Sequence, residues 1–181
     1  MCNCGAPLED FAFCSKCGSL SDIKLTSAFL SFSLPEAFFL DFSKVQKSYL
    51  VLQNRLHPDR FFNNETEKNR AQKYSSHINW AYNVLKDPLQ RAEILLDLIP
   101  DNFPVEDLME QMEKREHLES LSDKQDLKDF KKIISEEMRQ VEKDMTLFFK
   151  EKKLEEAKRC LIKIKYLMKI EQEAYRKLEE I

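Results

Sequence analysis

The chain has only two glycines in 181 residues, Gly5 and Gly18, and both stand in its first 18 positions. After Pro104 it runs 77 residues to Ile181 without a glycine or a proline. Turns with positive φ draw on Gly, so β-sandwiches, barrels and glycine-cradled phosphate sites are close to excluded. What remains open to such a chain is an α-helical architecture. Apolar residues at 43% with 13 Phe supply enough material for a core. The formal net charge of −3 and pI near 5.8 give no global positive field for nucleic acid.

No run of ~18 apolar residues is present, so no transmembrane helix is expected. The segment Leu25 to Phe42 is interrupted by Ser27, Ser31, Ser33, Pro35 and Glu36 and reads as a packed connection. Met1-Cys2-Asn3-Cys4 is not the basic-then-apolar start of a secretory signal. The expected location is therefore a reducing compartment, the cytoplasm of a bacterium or the mitochondrial matrix. Cysteines there bind metal or stay free more often than they pair.

Three regions follow from punctuation: a cysteine-rich head over 1–20, a helical region over 21–100, and a helical bundle over 101–181. Ile99-Pro100-Asp101-Asn102-Phe103-Pro104 marks the second boundary. In the middle region a short helix is expected around Ser27 to Phe32. Asp41 N-caps a helix to Leu56, with Phe42, Val45, Tyr49, Leu52 and Leu56 within an arc of roughly 80°. Lys44, Lys47 and Arg55 lie off that arc, and no acid occurs between Phe42 and Leu56. A second helix spans about Glu65 to Leu85, making a hairpin with the first. A third runs from Leu89 to Leu98, with Pro88 at its first turn.

Three constellations carry chemistry. Cys14-Ser15-Lys16-Cys17-Gly18 has the C-x-x-C-G form of a metal knuckle, and Cys2 and Cys4 supply a second pair with C-x-C spacing. Four thiolates would fill a structural zinc site; free thiols at the N-terminus are the alternative. His57-Pro58-Asp59 lies between the hairpin helices, directly after the basic face. Pro58 ends the first helix there, leaving Asp59 as an exposed carboxylate able to meet an arginine on a partner. A catalytic His/Asp pair with His77 lacks a nucleophile, and His77 reads as a helix-surface or packing residue. Last, Val105, Leu108, Met109 and Met112 share an arc of about 100°, with Glu116 inside it and Leu118 and Leu121 well off it. One patch can pack a bundle while the other meets a partner; a single wide core stripe is equally compatible.

The tail adds two long helices, one stepping through Leu127, Phe130, Ile134, Met138, Val141, Met145 and Phe148, the other through Leu154, Ala157, Leu161, Ile164, Met168, Tyr175 and Leu178. Cys160 falls in the second pattern as a core or boundary residue.

His57-Pro58-Asp59 between such helices resembles the J domain, the co-chaperone module that stimulates ATP hydrolysis by DnaK-type chaperones. Leu52 to Phe61, Ile78 to Ala92 and Leu108 to Glu116 together resemble the HscB branch of J proteins, over roughly residues 25 to 181. The resemblance implies an all-α fold: a small zinc-knuckle head, a J domain as a helical hairpin with short flanking helices, and a C-terminal three-helix bundle. It implies a co-chaperone, not an enzyme, that binds the IscU-type iron–sulfur scaffold and delivers it to a DnaK/HscA-type ATPase. His57, Pro58, Asp59, Lys44, Lys47 and Arg55 would contact that ATPase. Leu108, Met109, Met112, Glu113, Arg115, Glu116 and Tyr166 would contact the scaffold, although Tyr166 alone fits a bundle edge equally well. Rival readings are a J protein for general unfolded clients and a zinc-containing nucleic-acid adaptor. Acidic pI and the lack of aromatic–basic interleaving count against the adaptor.

Overall fold

The structure, a computed structural model, describes residue 4 and residues 12–21, 26–61, 63–97 and 105–181, with side chains from 108 onward in the last stretch. Among these residues the secondary structure is helical, with one isolated antiparallel bridge between Phe13 and Leu20. The chain divides into two compact units, Met1–Leu95 and Leu96–Ile181.

The first unit is built on α1 (Phe42–Arg55) and α2 (Glu65–Lys86), followed by α3 (Pro88–Leu96). Each hairpin helix begins where its cap dictates. The Asp41 carboxylate accepts from the Lys44 amide, and the Asn64 side chain accepts from the Glu67 amide at 3.1 Å. The inward stripes meet as their spacing requires. Val45, Leu52 and Leu56 pack with Ala71, Tyr74, Ile78, Ala81 and Leu85 in one core. Tyr49 stacks on Tyr82 with ring centroids 4.1 Å apart, and its hydroxyl donates to Asn79 Oδ1 at 2.9 Å. The expected helix at Ser27 to Phe32 is a single 3-10 turn, Leu30–Phe32, stopped by Ser33 in the left-handed region at φ 53°. His77 is buried with Nε2 2.8 Å from Ser31 Oγ, which makes it the packing histidine of the two roles the sequence allows, and burial pushes its pKa down.

The cysteine segment shares this core. Phe13 and Leu20 are buried with Phe29, Tyr74 and the rest of the hairpin interior. Ser21 Oγ lies 2.7 Å from the Tyr74 hydroxyl, and the Arg55 guanidinium sits 4.1 Å from the Phe13 ring centroid.

The second unit contains α4 (Val105–Ser120), α5 (Lys124–Glu151) and α6 (Leu154–Glu180). Asp123 caps α5 by accepting from the amides of Gln125 and Asp126. With no glycine available, the chain turns from α5 to α6 through Lys152 in the left-handed region at φ 59°. Leu127, Phe130 and Ile134 pack against Tyr166, Leu167, Ile170 and Ala174, with Leu118 from α4 completing the cluster. Cys160 is half-buried on α6, and burial raises its thiol pKa. Among the described residues no helix is long and apolar enough to cross a membrane.

Candidate functional site

Three groups of side chains stand out, two in the first unit and one in the second. The first is the loop between the hairpin helices. Helix α1 ends at Arg55 because Pro58 cannot continue it, and Pro58–Phe61 forms a 3-10 turn that projects His57 and Asp59 into solvent. His57 Nδ1 lies 3.5 Å from Asp59 Oδ2 and accepts from the Asp59 amide at 3.4 Å, which orients the loop without burying its carboxylate. Lys44 and Lys47 are exposed on the same helix, and Lys44 faces Asp41 at 3.5 Å. Arg55, expected beside these lysines off the apolar arc, is less exposed than they are. It is half-buried, its guanidinium laid over Phe13.

The second group is the cysteine knuckle. The sulfurs of Cys4, Cys14 and Cys17 all lie within 4.8 Å of one another, with Cys4 and Cys14 at 3.5 Å. Gly18 at φ 67° lets its amide return to the Cys14 carbonyl at 3.0 Å, and the Lys16 amide points to Cys14 Sγ at 3.4 Å. The backbone amides of Cys17 and Lys16 hold the Cys14 thiol below its ordinary pKa. Ligand sulfurs around a tetrahedral zinc stand about 3.8 Å apart at the usual bond length of about 2.3 Å, so this donor set could close on a metal with small shifts. Cys2, the expected fourth ligand, lies outside the described residues.

The third group is on α4, which divides by face. Leu118 is only 5% exposed, while Leu108, Met109 and Met112 are 44%, 67% and 59% exposed. Glu113 and Glu116 are exposed on the same outward arc, and Arg115 at its edge pairs with Glu173 at 3.3 Å. The inward face is held mainly by polar bonds. Glu110 meets Lys114 at 2.6 Å and Lys163 at 2.9 Å, and Glu137 meets the same two lysines at 3.3 and 2.9 Å. Hydrogen bonds from Lys114, then from Lys163, draw the Glu110 carboxyl down to about 2. Lys177 Nζ donates to the carbonyls of Leu118 and Glu119, closing the C-terminal end of α4.

Tyr166, expected from the resemblance to touch a partner, is 6% exposed and packs in the bundle core. Its hydroxyl donates to the Gln111 carbonyl at 2.6 Å, and burial pushes its pKa up to about 12. It therefore reaches the outer α4 stripe only by fixing the helix that carries it. The ion network went unread in the sequence. Only the Glu110/Lys114 spacing of four hinted at it, since Glu137 and Lys163 join from other helices.

A helical hairpin closed over an exposed His-Pro-Asp turn, followed in the chain by an antiparallel bundle, defines a J-type co-chaperone fold. Residues 104–175 match the model of the HscB C-terminal oligomerisation domain. The sequence is 32% identical to the human iron–sulfur cluster co-chaperone protein HscB, over 94% of this chain and 78% of that one. The solved structure of human HscB covers 99% of both chains with a TM-score of 0.79 at 30% identity. That of HscB from Vibrio cholerae covers 83% of this chain and 96% of its own, with a TM-score of 0.66 at 34% identity. The chain belongs to the HscB family of co-chaperones.

Proposed function

We propose that the protein is a co-chaperone of iron–sulfur cluster biogenesis that binds an IscU-type scaffold through the outer stripe of α4. It then presents the scaffold to a DnaK/HscA-type chaperone, whose ATPase the His57-Pro58-Asp59 loop stimulates. The observation that carries this reading is the split of α4. An apolar stripe left out of the bundle core, beside a buried Leu118, has the character of a docking surface. Met109 and Met112 suit such a surface because their side chains adapt to the partner. Glu113 and Glu116 add an acidic margin that selects a basic rim opposite.

The division of labour follows from the chemistry of each surface. Asp59 offers a solvated carboxylate to an arginine of the ATPase, while Lys44 and Lys47 supply a cationic field that steers an anionic face toward α1. Tyr166 and the Glu110–Lys114–Glu137–Lys163 network position α4. No step of bond chemistry is assigned to this chain; ATP hydrolysis and cluster transfer occur on its partners.

The knuckle is read as a structural zinc site held by Cys4, Cys14 and Cys17, with Cys2 as the fourth ligand. Zinc would supply a rigid cross-link and no open coordination position. Purified protein should carry about one zinc per chain, and Cys14→Ser with Cys17→Ser should release it, measured by elemental analysis. Full zinc occupancy in that double variant would remove the site.

The test of the main reading is a reconstituted ATPase assay. The full chain should stimulate a DnaK-type ATPase, and an IscU-type scaffold should raise the stimulation further. Stimulation that responds equally to any unfolded protein would make this a J protein for general clients.

A further inference from the structure

The segment that bears the cysteines and the loop that bears His57 share one piece of core. Phe13 stands next to Cys14, and its side chain is buried. Two hydrogen bonds fix the backbone around it: the Cys14 amide donates to the Ser19 carbonyl at 3.0 Å, and the Ser21 amide to the Ala12 carbonyl at 2.8 Å. Between them the chain turns through Cys17 and Gly18, so whatever closes the knuckle also sets where Phe13 lies. Over that ring lies the guanidinium of Arg55, its central carbon 4.1 Å from the centroid. Arg55 is the last residue of α1. Leu56 and Phe61, which bracket the exposed His-Pro-Asp turn, pack in the same cluster as Phe13.

We propose that Phe13 is a positioning residue for the His57-Pro58-Asp59 loop, through which closure of the cysteine knuckle sets how readily the chain engages its ATPase. This rests on the reading of that loop as the ATPase contact. Three features separate the role from plain core filling. The ring holds a cation, and that attraction needs the face of an aromatic ring, which an aliphatic side chain of similar size lacks. The cation it holds stands two residues before His57, whereas Lys44 and Lys47, further back on the same helix, are exposed. The loop itself is one 3-10 turn, closed by the Arg60 amide on the His57 carbonyl at 3.0 Å. A single turn is too short to hold its own direction, so its flanking residues must supply it. Phe13 reaches that loop from both sides, through Arg55 and through the shared packing of Leu56 and Phe61.

The experiment titrates the full chain against a purified DnaK-type ATPase and reads hydrogen exchange of the Leu56 and Arg60 amides on the same samples. Phe13→Leu keeps an apolar side chain in the core and removes the ring face; Arg55→Met keeps the stem and removes the charge. Each should raise the protein needed for half-maximal stimulation about five-fold, as when about a fifth of the chains hold the competent loop. Together they should still cost about five-fold, not the roughly twenty-five-fold of independent sites. Local protection of Leu56 and Arg60 should fall in both. Cys14→Ser/Cys17→Ser should titrate and exchange like Phe13→Leu. Val84→Ala trims the same core at the far end of α2; it should lower the melting temperature and leave the titration and these two amides at parental values. Asp59→Asn should lose the stimulation, and if it does not, the ATPase reading fails and this proposal falls with it. With Asp59→Asn inactive, multiplying effects of Phe13→Leu and Arg55→Met would make Arg55 an independent contact. A parental titration by the cysteine variant would uncouple the knuckle from the loop, and a Val84→Ala chain that titrates like Phe13→Leu would reduce Phe13 to core stability. Any of these three results overturns this proposal alone.

Discussion

Helices α1 and α4 each hold one face and present the other, but with opposite chemistry. Helix α1 is held by apolar burial of Val45 and Leu52 and presents a largely cationic arc. Helix α4 is held by the Glu110–Lys114–Glu137–Lys163 network, the Tyr166–Gln111 bond and Lys177, with Leu118 as its buried apolar anchor. What α4 presents is Leu108, Met109 and Met112. The contrast teaches that anchoring and docking need not draw on the same force within one helix. A condition that weakens one can leave the other intact, so the two roles are separable by experiment.

The sharpest separation is expected at the loop. Asp59→Asn or His57→Gln should abolish ATPase stimulation while the melting curve and scaffold binding stay at parental values, because both side chains are exposed and outside the core. On α4 the triple change Leu108→Ala, Met109→Ala, Met112→Ala should weaken scaffold binding roughly thirty-fold, equivalent to about 2 kcal/mol, with little change in melting temperature. Leu118→Ala on the same helix should do the reverse at first: it opens a cavity costing about 2–5 kcal/mol, read as a lowered melting temperature. A triple variant that melts as low as Leu118→Ala would erase the distinction between the two faces.

Acid provides a third comparison. The Glu110 carboxyl titrates near 2 in the fold against an ordinary value of 4.5, so the ionised form is favoured by folding. Its contribution is fully present above the ordinary value and is lost as pH falls from there through about 2. Amide protection in α4, taken relative to the intrinsic exchange rate at each pH, should therefore fall over that window ahead of protection in α1, and Glu110→Gln should lower α4 protection already at neutral pH. Equal loosening of both helices would mean that α4 is held by something other than this network. The smallest effect is that of salt. Raising ionic strength from 0.15 to 0.5 M shortens the screening length from about 8 to about 4 Å and should weaken ATPase docking a few-fold. Scaffold binding through the α4 stripe should shift less.

Much of this was legible in the chain because it is written in local spacing. Asp41 before Phe42 announces α1, while Leu118 falling off the Leu108–Met109–Met112 arc suits two faces on α4 and one wide core stripe equally until their exposures separate them. The rest depended on residues far apart in sequence. Arg55 groups with Lys44 and Lys47 off the apolar arc until Phe13, over forty positions earlier, is placed beneath it. Tyr166 reads equally well as a partner contact or a bundle-edge residue, and only the fold shows it buried with its hydroxyl on the Gln111 carbonyl. The alternating charges of Glu110, Lys114, Glu137 and Lys163 come from three helices, and no periodicity along one of them reveals the set.

The packing of the cysteine segment on the hairpin also fixes an order of events during synthesis. The knuckle leaves the ribosome early, yet Ser21 must wait 53 residues for Tyr74, the partner that ties its segment to the hairpin. At about 5–20 residues per second that interval lasts several seconds, during which the thiols are made but their support is not. A nascent chain stalled before Tyr74 would present the Cys14 and Cys17 segment without the hairpin interior that buries Phe13 and Leu20 beside it.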